Sequence, residues 1–516
     1  MSIRFLPTPL RDAPESTDWR SVASVQKTVR RDGAAAGALI AHGAALANRS
    51  RLLEGGALAV TTGQQAGLFT GPLFSVLKAL SAAALAHELN AAGNGPVVPI
   101  FWVAGDDHDF AEINHCHVTG QDGRATRIVL RERAADAPML AAYREPVGPE
   151  GAEALAALEA VLPPGDARTT TMDLLRRAYS PDHSLAEANA LAMAELLGPY
   201  GLVVCRGWDG TLKKAAKDVL LRAAKGAAQL DAGLLAEAEL LKARGANVPV
   251  EVGQGLTLLM IEGRQGRDRL RIAGDGFETR RGGEKFSLAD LERIASGEPE
   301  RLSGNVLLRP AVEAAVFPTV GYFGGPGELA YLAQTGPVFQ QLGVPRPARL
   351  ARLSGLLVEA KVDKILEKNR LAPADLATDE GALISRVARD ALPESAAAAL
   401  GQLRAAITSH YAAVQAEAVA VERTLEKPVE NMRNQALVGT QEIEKKLLAA
   451  LKRANETAVQ QVVRARDQLF PDGTPQERVI SAVSFLGRHG TAVLDLLFDA
   501  ARAHARRHLE GPTGRA

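Results

Sequence analysis

Two cysteines, Cys116 and Cys205, are all that 516 residues contain. That excludes a disulfide framework and a cysteine-rich metal site. Both lie in apolar strand contexts, where a thiol is an inert core group. Aromatic residues make up only 4%, and alanine and leucine dominate, which favours helices over an all-β architecture. Neither sign of charge is in excess: 60 Lys plus Arg balance 60 Asp plus Glu, so nothing suggests a nucleic-acid partner or an anionic membrane surface. No run of 18 apolar residues occurs, and the opening MSIRFLPTPLRDAPES has no signal-type stretch. The expectation is a cytoplasmic protein that spans no membrane. What is present, 47% hydrophobic and 23% charged residues, suffices for a large core, and the length implies two or three domains.

The hydrophobic pattern supplies the organisation. Residues 20–54 read as helical. ALAVTT (57–62) reads as a buried strand, GQQAGLFTG (63–71) as a loop, PLFSVLKALSAAALAHEL (72–89) as a helix apolar on almost every face, and VVPIFWVAG (97–105) as a strand covered on both sides. Strand, loop, helix and strand make one βαβ unit, hence an α/β core over residues 1–350. GLVVCR (201–206) returns as a strand, LTLLMIEG (256–263) and LRIAG (270–274) form a candidate hairpin, and FPTVGYFGGPGE (317–328) reads as strand plus Gly-rich turn. After residue 350 the pattern turns helical. Ile407, Val414 and Val421, with Tyr411, Ala418, Leu425 and Met432, form an a/d seam that Pro428 ends or kinks. A second seam runs Leu448, Leu451, Asn455, Ala458, Val462, Ala465, Leu469, with Asn455 at an a position. A helical domain (351–516) with a coiled coil at about 400–470 follows, its long helices antiparallel or shared with another subunit.

Three polar blocks stand out. In TTGQQAGLFTGP (61–72), Gly63, Gly67 and Gly71 permit close backbone approach, the helix start at Thr70-Gly71 offers free amides to an anion, Gln64 and Gln65 add neutral donors and acceptors, and Lys78 sits two turns on. In GDDHDFAEINH (105–115), Asp106, Asp107, His108, Asp109, Glu112, Asn114 and His115 crowd the carboxyl end of a core strand, where open α/β sheets bind ligands. If 108–115 is helical, His108, Glu112 and His115 share a face and could hold a divalent cation, but the spacing matches no established metal motif and no metal is assigned. In the third block (303–334), Asn305 and Arg309 flank an apolar run, Gly324, Gly325 and Gly327 open a helix bearing Glu328, Tyr331 and Gln334, and Arg309 suits a carboxylate or phosphate. Arg349, in RPARLARLS, reads as part of a solvated linker.

TGQQAGLFTGPLFSVLKA, PIFWVAGDDHDFAEINH, the NVLLRP to PRP segment and LFPDGTPQERV (469–479) resemble, in order, the signature segments of the BshC family, the cysteine-adding enzymes of bacillithiol biosynthesis. The resemblance runs from about residue 57 to 490. It implies a Rossmann-like, nucleotidyltransferase-type core with inserted segments (about 120–200 and 230–300), a C-terminal coiled-coil domain that forms a homodimer, and a ligase that joins cysteine to the amine of glucosaminyl-malate. A free carboxylate is a poor electrophile, so ATP or another nucleotide is expected to activate it. The layout is also similar to class I aminoacyl-tRNA synthetases, but Phe69-Thr70-Gly71-Pro72 lacks their two histidines and no KMSKS-type loop occurs. Within this reading Thr70-Gly71 and the Gly324–Gly327 turn hold anions, Arg309 or Lys78 pairs with a carboxylate, and His108 or Asp109 accepts the amine proton, with Asp107 a third catalytic candidate. Asn305, Tyr322 and Gln334 orient substrate. Two rival readings are a metal-dependent amidohydrolase using His108, Glu112 and His115, and a non-catalytic nucleotide-binding coiled-coil scaffold.

Overall fold

The computed structural model describes residues 3–10, 19–26, 33–120, 123–134 and 137–510. Its centre is a six-stranded sheet of β1 (Leu39–Ile40), β2 (Leu58–Gln64), β3 (Val97–Val103), β4 (Val203–Arg206), β5 (Thr319–Gly324) and β6 (Ala348–Ala351), in the order β6-β5-β2-β3-β4-β1. All neighbours are parallel except β1, which runs antiparallel along β4. The chain winds from β2 through β3 to β4, then crosses back to place β5 on the other side of β2. The gap between β2 and β5 is therefore the topological switch point, where doubly wound sheets open a crevice.

β2 and β3 are apolar on both faces because two separate cores press on them. Val60, Val97, Phe101 and Val103 pack in one core with α1 (Leu73–Ala91). Ala59, Val98, Ile100 and Trp102 pack in the other, with Leu308, Ala311 and Val312 at the start of α2 (Arg309–Val316). α1 is apolar all round because it is enclosed by sheet on one side and later helices on the other. After β5 the chain turns into α3 (Pro326–Gln334).

Two insertions interrupt the sheet. Between β3 and β4 lie a hairpin (His115–Thr119 with Ala125–Val129) and three helices, Glu150–Val161, Asp166–Ala178 and Leu185–Leu197. Between β4 and β5 lies an antiparallel sheet that contains the expected hairpin, Leu256–Gly263 against Gly266–Ala273, and ends on Leu302–Gly304.

The C-terminal region begins with Gly355–Glu359, paired antiparallel with Ile3–Pro7. α4 (Glu394–Val421) and α5 (Glu426–Ala454) form an antiparallel hairpin, tied where Arg404 donates to Thr440 Oγ1 at 3.1 Å. α6 (Glu456–Leu469) buries Val459, Val462, Ala465 and Leu469 against Leu356, Val358, Val362 and Leu366. α7 (Ala492–Glu510) returns to the first core, where Leu494, Leu497 and Ala501 pack with α1 and Glu88 of α1 pairs with Arg502 and Arg506 at 2.7 and 3.0 Å. No helix among the described residues is long and apolar enough to cross a membrane.

Four local expectations are corrected. The 20–54 segment is not continuously helical: Leu39–Ile40 pairs with β4 as an edge strand. Pro428 does not end a helix; α4 stops at Val421 and Pro428 sits in the first turn of α5, where its missing N–H costs nothing. Asn455 is not inside a continuous seam but caps the break between α5 and α6, its side chain donating to the Leu451 carbonyl at 3.0 Å. The RPARLARLS segment is a strand of the main sheet rather than a linker, with Arg349 paired in register to Tyr322.

Candidate active site

The carboxyl ends of β2, β3 and β5 open into a cavity of about 580 Å³ at the switch point. Its floor is a buried network of charge. Lys78, on the first face of α1, is fully buried and directs Nζ to the Gly63 carbonyl, to Gln64 Oε1 at 3.0 Å and to Glu328 Oε1 at 2.7 Å. Gly63 is required here because a Cβ would lie 2.7 Å from the Trp102 carbonyl oxygen on β3. Glu328 also accepts from the Gly325 amide at 3.0 Å and from the Tyr322 hydroxyl at 3.1 Å. Tyr322 in turn accepts from Arg309 Nη2 at 3.0 Å, and Arg309 Nη1 donates to the buried Glu313 at 2.6 Å. The chain of donors thus runs Arg309, Tyr322, Glu328, with Lys78 beneath.

Burial pushes the Lys78 ammonium below its ordinary value, against the pull of Glu328. Burial would raise the Glu328 carboxyl, but Lys78, the Gly325 amide and Arg309 together hold it below the usual carboxylate range. Burial keeps the Tyr322 phenol protonated, so it remains the donor to Glu328. Removing one member of such a buried pair costs about 3–5 kcal/mol, because the other charge is left without a partner.

The opposite wall comes from the end of β3 and the second insertion. Asp107 accepts from Gln65 Nε2 at 2.8 Å, and Asp106 pairs with the buried Lys213 at 2.6 Å. Burial would raise Asp107, yet Arg267, Gln65 and His108 hold it below the ordinary range. Arg267 donates to the Gly304 carbonyl at 3.1 Å and to Ser303 Oγ at 3.3 Å, fixing its guanidinium on the wall. Arg269, two residues along the same strand, also lines the cavity, and its Nη2 is buried without a hydrogen-bond partner among the described residues. Asn305 accepts from the Leu307 and Leu308 amides at 3.0 and 3.1 Å, so it shapes the turn that presents Arg309.

Of the residues selected from the sequence, Gly63, Gln64, Gln65, Asp107, Asn305 and Arg309 line the cavity, as do Tyr322, Gly325, Gly327, Glu328 and Tyr331. The rest are placed differently. His108 stands behind the wall, where its Nδ1 faces Arg267 Nη1 at 3.3 Å. Asp109 and Glu112 are exposed to solvent. Asn114 is buried and donates to the Arg131 carbonyl at 2.8 Å, while His115 contacts Asn114 at 3.0 Å. The helix here is only Phe110–Ile113, so the face that was to unite His108, Glu112 and His115 never forms. Among the described residues no group of three or more His, Cys, Asp or Glu side chains gathers as metal ligands.

Thr70 and Gly71 do not offer their amides to a ligand. Phe69, Thr70 and Gly71 all have positive φ, and the Thr70 amide is spent on the Tyr179 hydroxyl at 3.2 Å. The first amide of α1, at Leu73, donates to Ile480 at 2.8 Å. The turn at Gly324-Gly325 has one donor taken internally by Glu328. Gln334 is fully buried and bonds both backbone groups of Val250, at 3.1 and 3.3 Å. Both cysteines are buried, and burial alone pushes the Cys116 thiol up to about 12.

Lys213, Arg267, Arg269, Arg352 and Arg478 line the cavity but were not selected as site residues. For Arg267 and Arg269 a signal existed: GRDRLRI alternates with the period of a strand, so both guanidinia lie on one face.

A family model described as the N-terminal Rossmann-like domain of "Bacillithiol biosynthesis BshC" matches residues 32–353, and one described as its C-terminal coiled-coil domain matches residues 355–509. The chain belongs to the BshC family. Relatives named "Putative cysteine ligase BshC" include that of Salinibacter ruber, 33% identical over 452 residues that cover 87% of this chain and 82% of the relative. That of Koribacter versatilis is 32% identical, covering 89% and 84%, and that of Heliobacterium modesticaldum 31% identical, covering 87% and 82%. The Rossmann-like core and helical C-terminal region of the BshC family are those described above, and the switch-point cavity is lined by the first together with Arg478 of the second.

Proposed function

We propose that this chain is a cysteine ligase of bacillithiol biosynthesis that joins cysteine to the amine of glucosaminyl-malate through an amide bond. The observation that carries this reading is the composition of the cavity lining: five arginines and one lysine, against three carboxylates, Asp106, Asp107 and Glu328. Such a site suits substrates that bring several carboxylates and two amines. Arg309, its remaining N–H groups free of Glu313 and Tyr322, takes a substrate carboxylate. Glu328, held ionised, takes the cysteine ammonium. The amine of glucosaminyl-malate attacks the activated carboxyl carbon, the N–C bond forms, and the activating group leaves. On bond formation the attacking nitrogen becomes strongly acidic, so a carboxylate of low pKa such as Asp107 suffices to accept its proton. His108, behind the wall, positions Arg267 instead.

The residues also fit a nucleotide: the partnerless Nη2 of Arg269 beside Arg267 is a donor suited to phosphate oxygens. When bound, the nucleotide supplies the group that turns the carboxylate into an electrophile. Mass spectrometry of a reaction containing the protein, ATP, cysteine and glucosaminyl-malate tests the proposal. An enzyme-dependent product with the mass of the cysteinyl amide, lost in Arg309→Gln, is expected, and the accompanying AMP or ADP identifies the route. Folded protein that forms no amide under these conditions overturns it.

The α4–α5 hairpin is assigned to homodimerisation. Val414 and Val421, a heptad apart on α4, and Met432, on α5, remain exposed, and a second copy of the hairpin would cover them. Sedimentation equilibrium that gives a monomer at micromolar concentration refutes this.

A further inference from the structure

The segment Leu469–Val479 stood out in the sequence yet takes no part in the chemistry above. It belongs to the C-terminal region, but it is fastened to the Rossmann-like core on both sides of a single residue. Glu477, buried, receives both terminal nitrogens of Arg352, at 3.0 and 2.6 Å, the Ser354 hydroxyl at 3.0 Å and the Gly355 amide at 3.1 Å. Gln476, also buried, accepts from the Leu357 amide at 2.9 Å and donates to the Leu357 carbonyl at 3.2 Å. Ile480 accepts from Leu73 at 2.8 Å, and Ser481 donates to the Phe69 carbonyl at 3.0 Å. Every one of these residues spends its polar groups on anchoring. Arg478, between them, does not: it lines the switch-point cavity, is exposed to it, and its guanidinium has no hydrogen-bond or ion-pair partner among the described residues.

A free arginine on a surface is ordinarily a solvated group. Here the backbone on either side is over-determined, so the guanidinium is carried by a rigid mount at the mouth of a cavity. The backbone is thus ordered before any ligand arrives, which leaves the side chain alone to be fixed on binding. Two other arginines of the wall are neutralised, Arg352 by Glu477 and Arg309 by Glu313, while Arg267 and Arg269 hydrogen-bond only neutral groups among the described residues. Arg478 contributes an uncompensated positive charge.

We infer that Arg478, supplied by the C-terminal region, is a substrate-binding residue of the cavity in the Rossmann-like domain, where it takes an oxyanion group, carboxylate or phosphate, of an incoming substrate. Which substrate carries that group rests on the ligase reading; the binding itself does not. The C-terminal region is then a part of the site and not only a platform for assembly.

The test is calorimetric titration of the full-length protein with glucosaminyl-malate and, separately, with ATP, for wild type, Arg478→Gln and Arg478→Lys. A charge-assisted hydrogen bond lost on binding weakens affinity roughly 10- to 100-fold. We expect that loss for one of the two ligands in Arg478→Gln, partial recovery in Arg478→Lys, and an unchanged melting temperature in both. Loss for glucosaminyl-malate identifies the carboxylate, loss for ATP the phosphate. Arg478→Gln binding both ligands with wild-type affinity overturns the inference, as does a wild type that binds neither. Wild type that binds and loses affinity in the variant, while forming no amide, keeps the inference and refutes the ligase.

Discussion

The switch-point cavity and the α4–α5 hairpin break the same rule in opposite directions. The first buries charge: Lys78, Glu313, Arg352 and Glu477 are withdrawn from water and paired, Lys78 with the part-buried Glu328. The second exposes apolar groups: Val421 is 83% exposed, Met432 57% and Val414 56%. Each is unfavourable for folding taken alone. Burying charge costs desolvation that only good geometry offsets, and an apolar ridge gains nothing until something covers it. Chains keep such departures where they serve a task. The comparison therefore separates a region whose chemistry suits polar ligands from one whose surface suits another apolar face, without reference to any motif.

Substitutions can break this comparison at either end. The largest effect is expected at Asp107: Asp107→Asn should lower kcat about 10²- to 10⁴-fold with little change in melting temperature, whereas Asp109→Asn, exposed and off the wall, should stay near wild type in the same assay. Glu328→Gln should cost about 3–5 kcal/mol in urea unfolding by leaving Lys78 buried and unpaired, a loss that Lys78→Met in the same chain should largely relieve. In the hairpin, Val421→Asp with Met432→Asp should shift sedimentation equilibrium towards monomer while leaving monomer stability within about 0.5 kcal/mol, since both sites are exposed.

Smaller effects sharpen the picture by pH. Burial and the neighbouring Arg267 lower the His108 pKa from its ordinary 6.5. The unfolded chain therefore binds that proton more readily, and stability should fall as pH drops below 6.5. His108→Gln, which keeps an acceptor for Arg267, should flatten that part of the profile of wild type. At the far end of α1, Arg506 and Arg502 hold Glu88 at about 2 against an ordinary 4.5. A depressed carboxylate contributes stability above 4.5 that is lost as pH falls towards 2. With both arginines partly in solvent, Glu88→Gln should cost only about 1 kcal/mol at neutral pH.

The parallel core was legible because β2 and β3 are continuous apolar runs, and only a sheet covered on both faces tolerates them. The loop after β2 and the start of α2 were legible as polar blocks next to those runs. The string at 105–115 misled because its residues are close in sequence but not in direction: the chain turns after Asp107, so Asp106 and Asp107 face the cavity while Asp109 and Glu112 face solvent. Thr70 and Gly71 misled because other groups take the donors of the helix start: the Tyr179 hydroxyl accepts from Thr70, the Leu68 carbonyl from Gly71 and the Ile480 carbonyl from Leu73.

The sequence by itself determined the local elements, the order in which they wind and the apolar faces that must meet, since these depend on residues within a few positions of one another. It also determined that charge would collect at the ends of core strands. Only the tertiary structure decided which charges meet. Lys78 finds Glu328 across 250 positions, and Arg352 finds Glu477 across 125. The physical reason is that a charge is stable in the interior only beside its partner. The identity of that partner is set by chain crossings that no local pattern records.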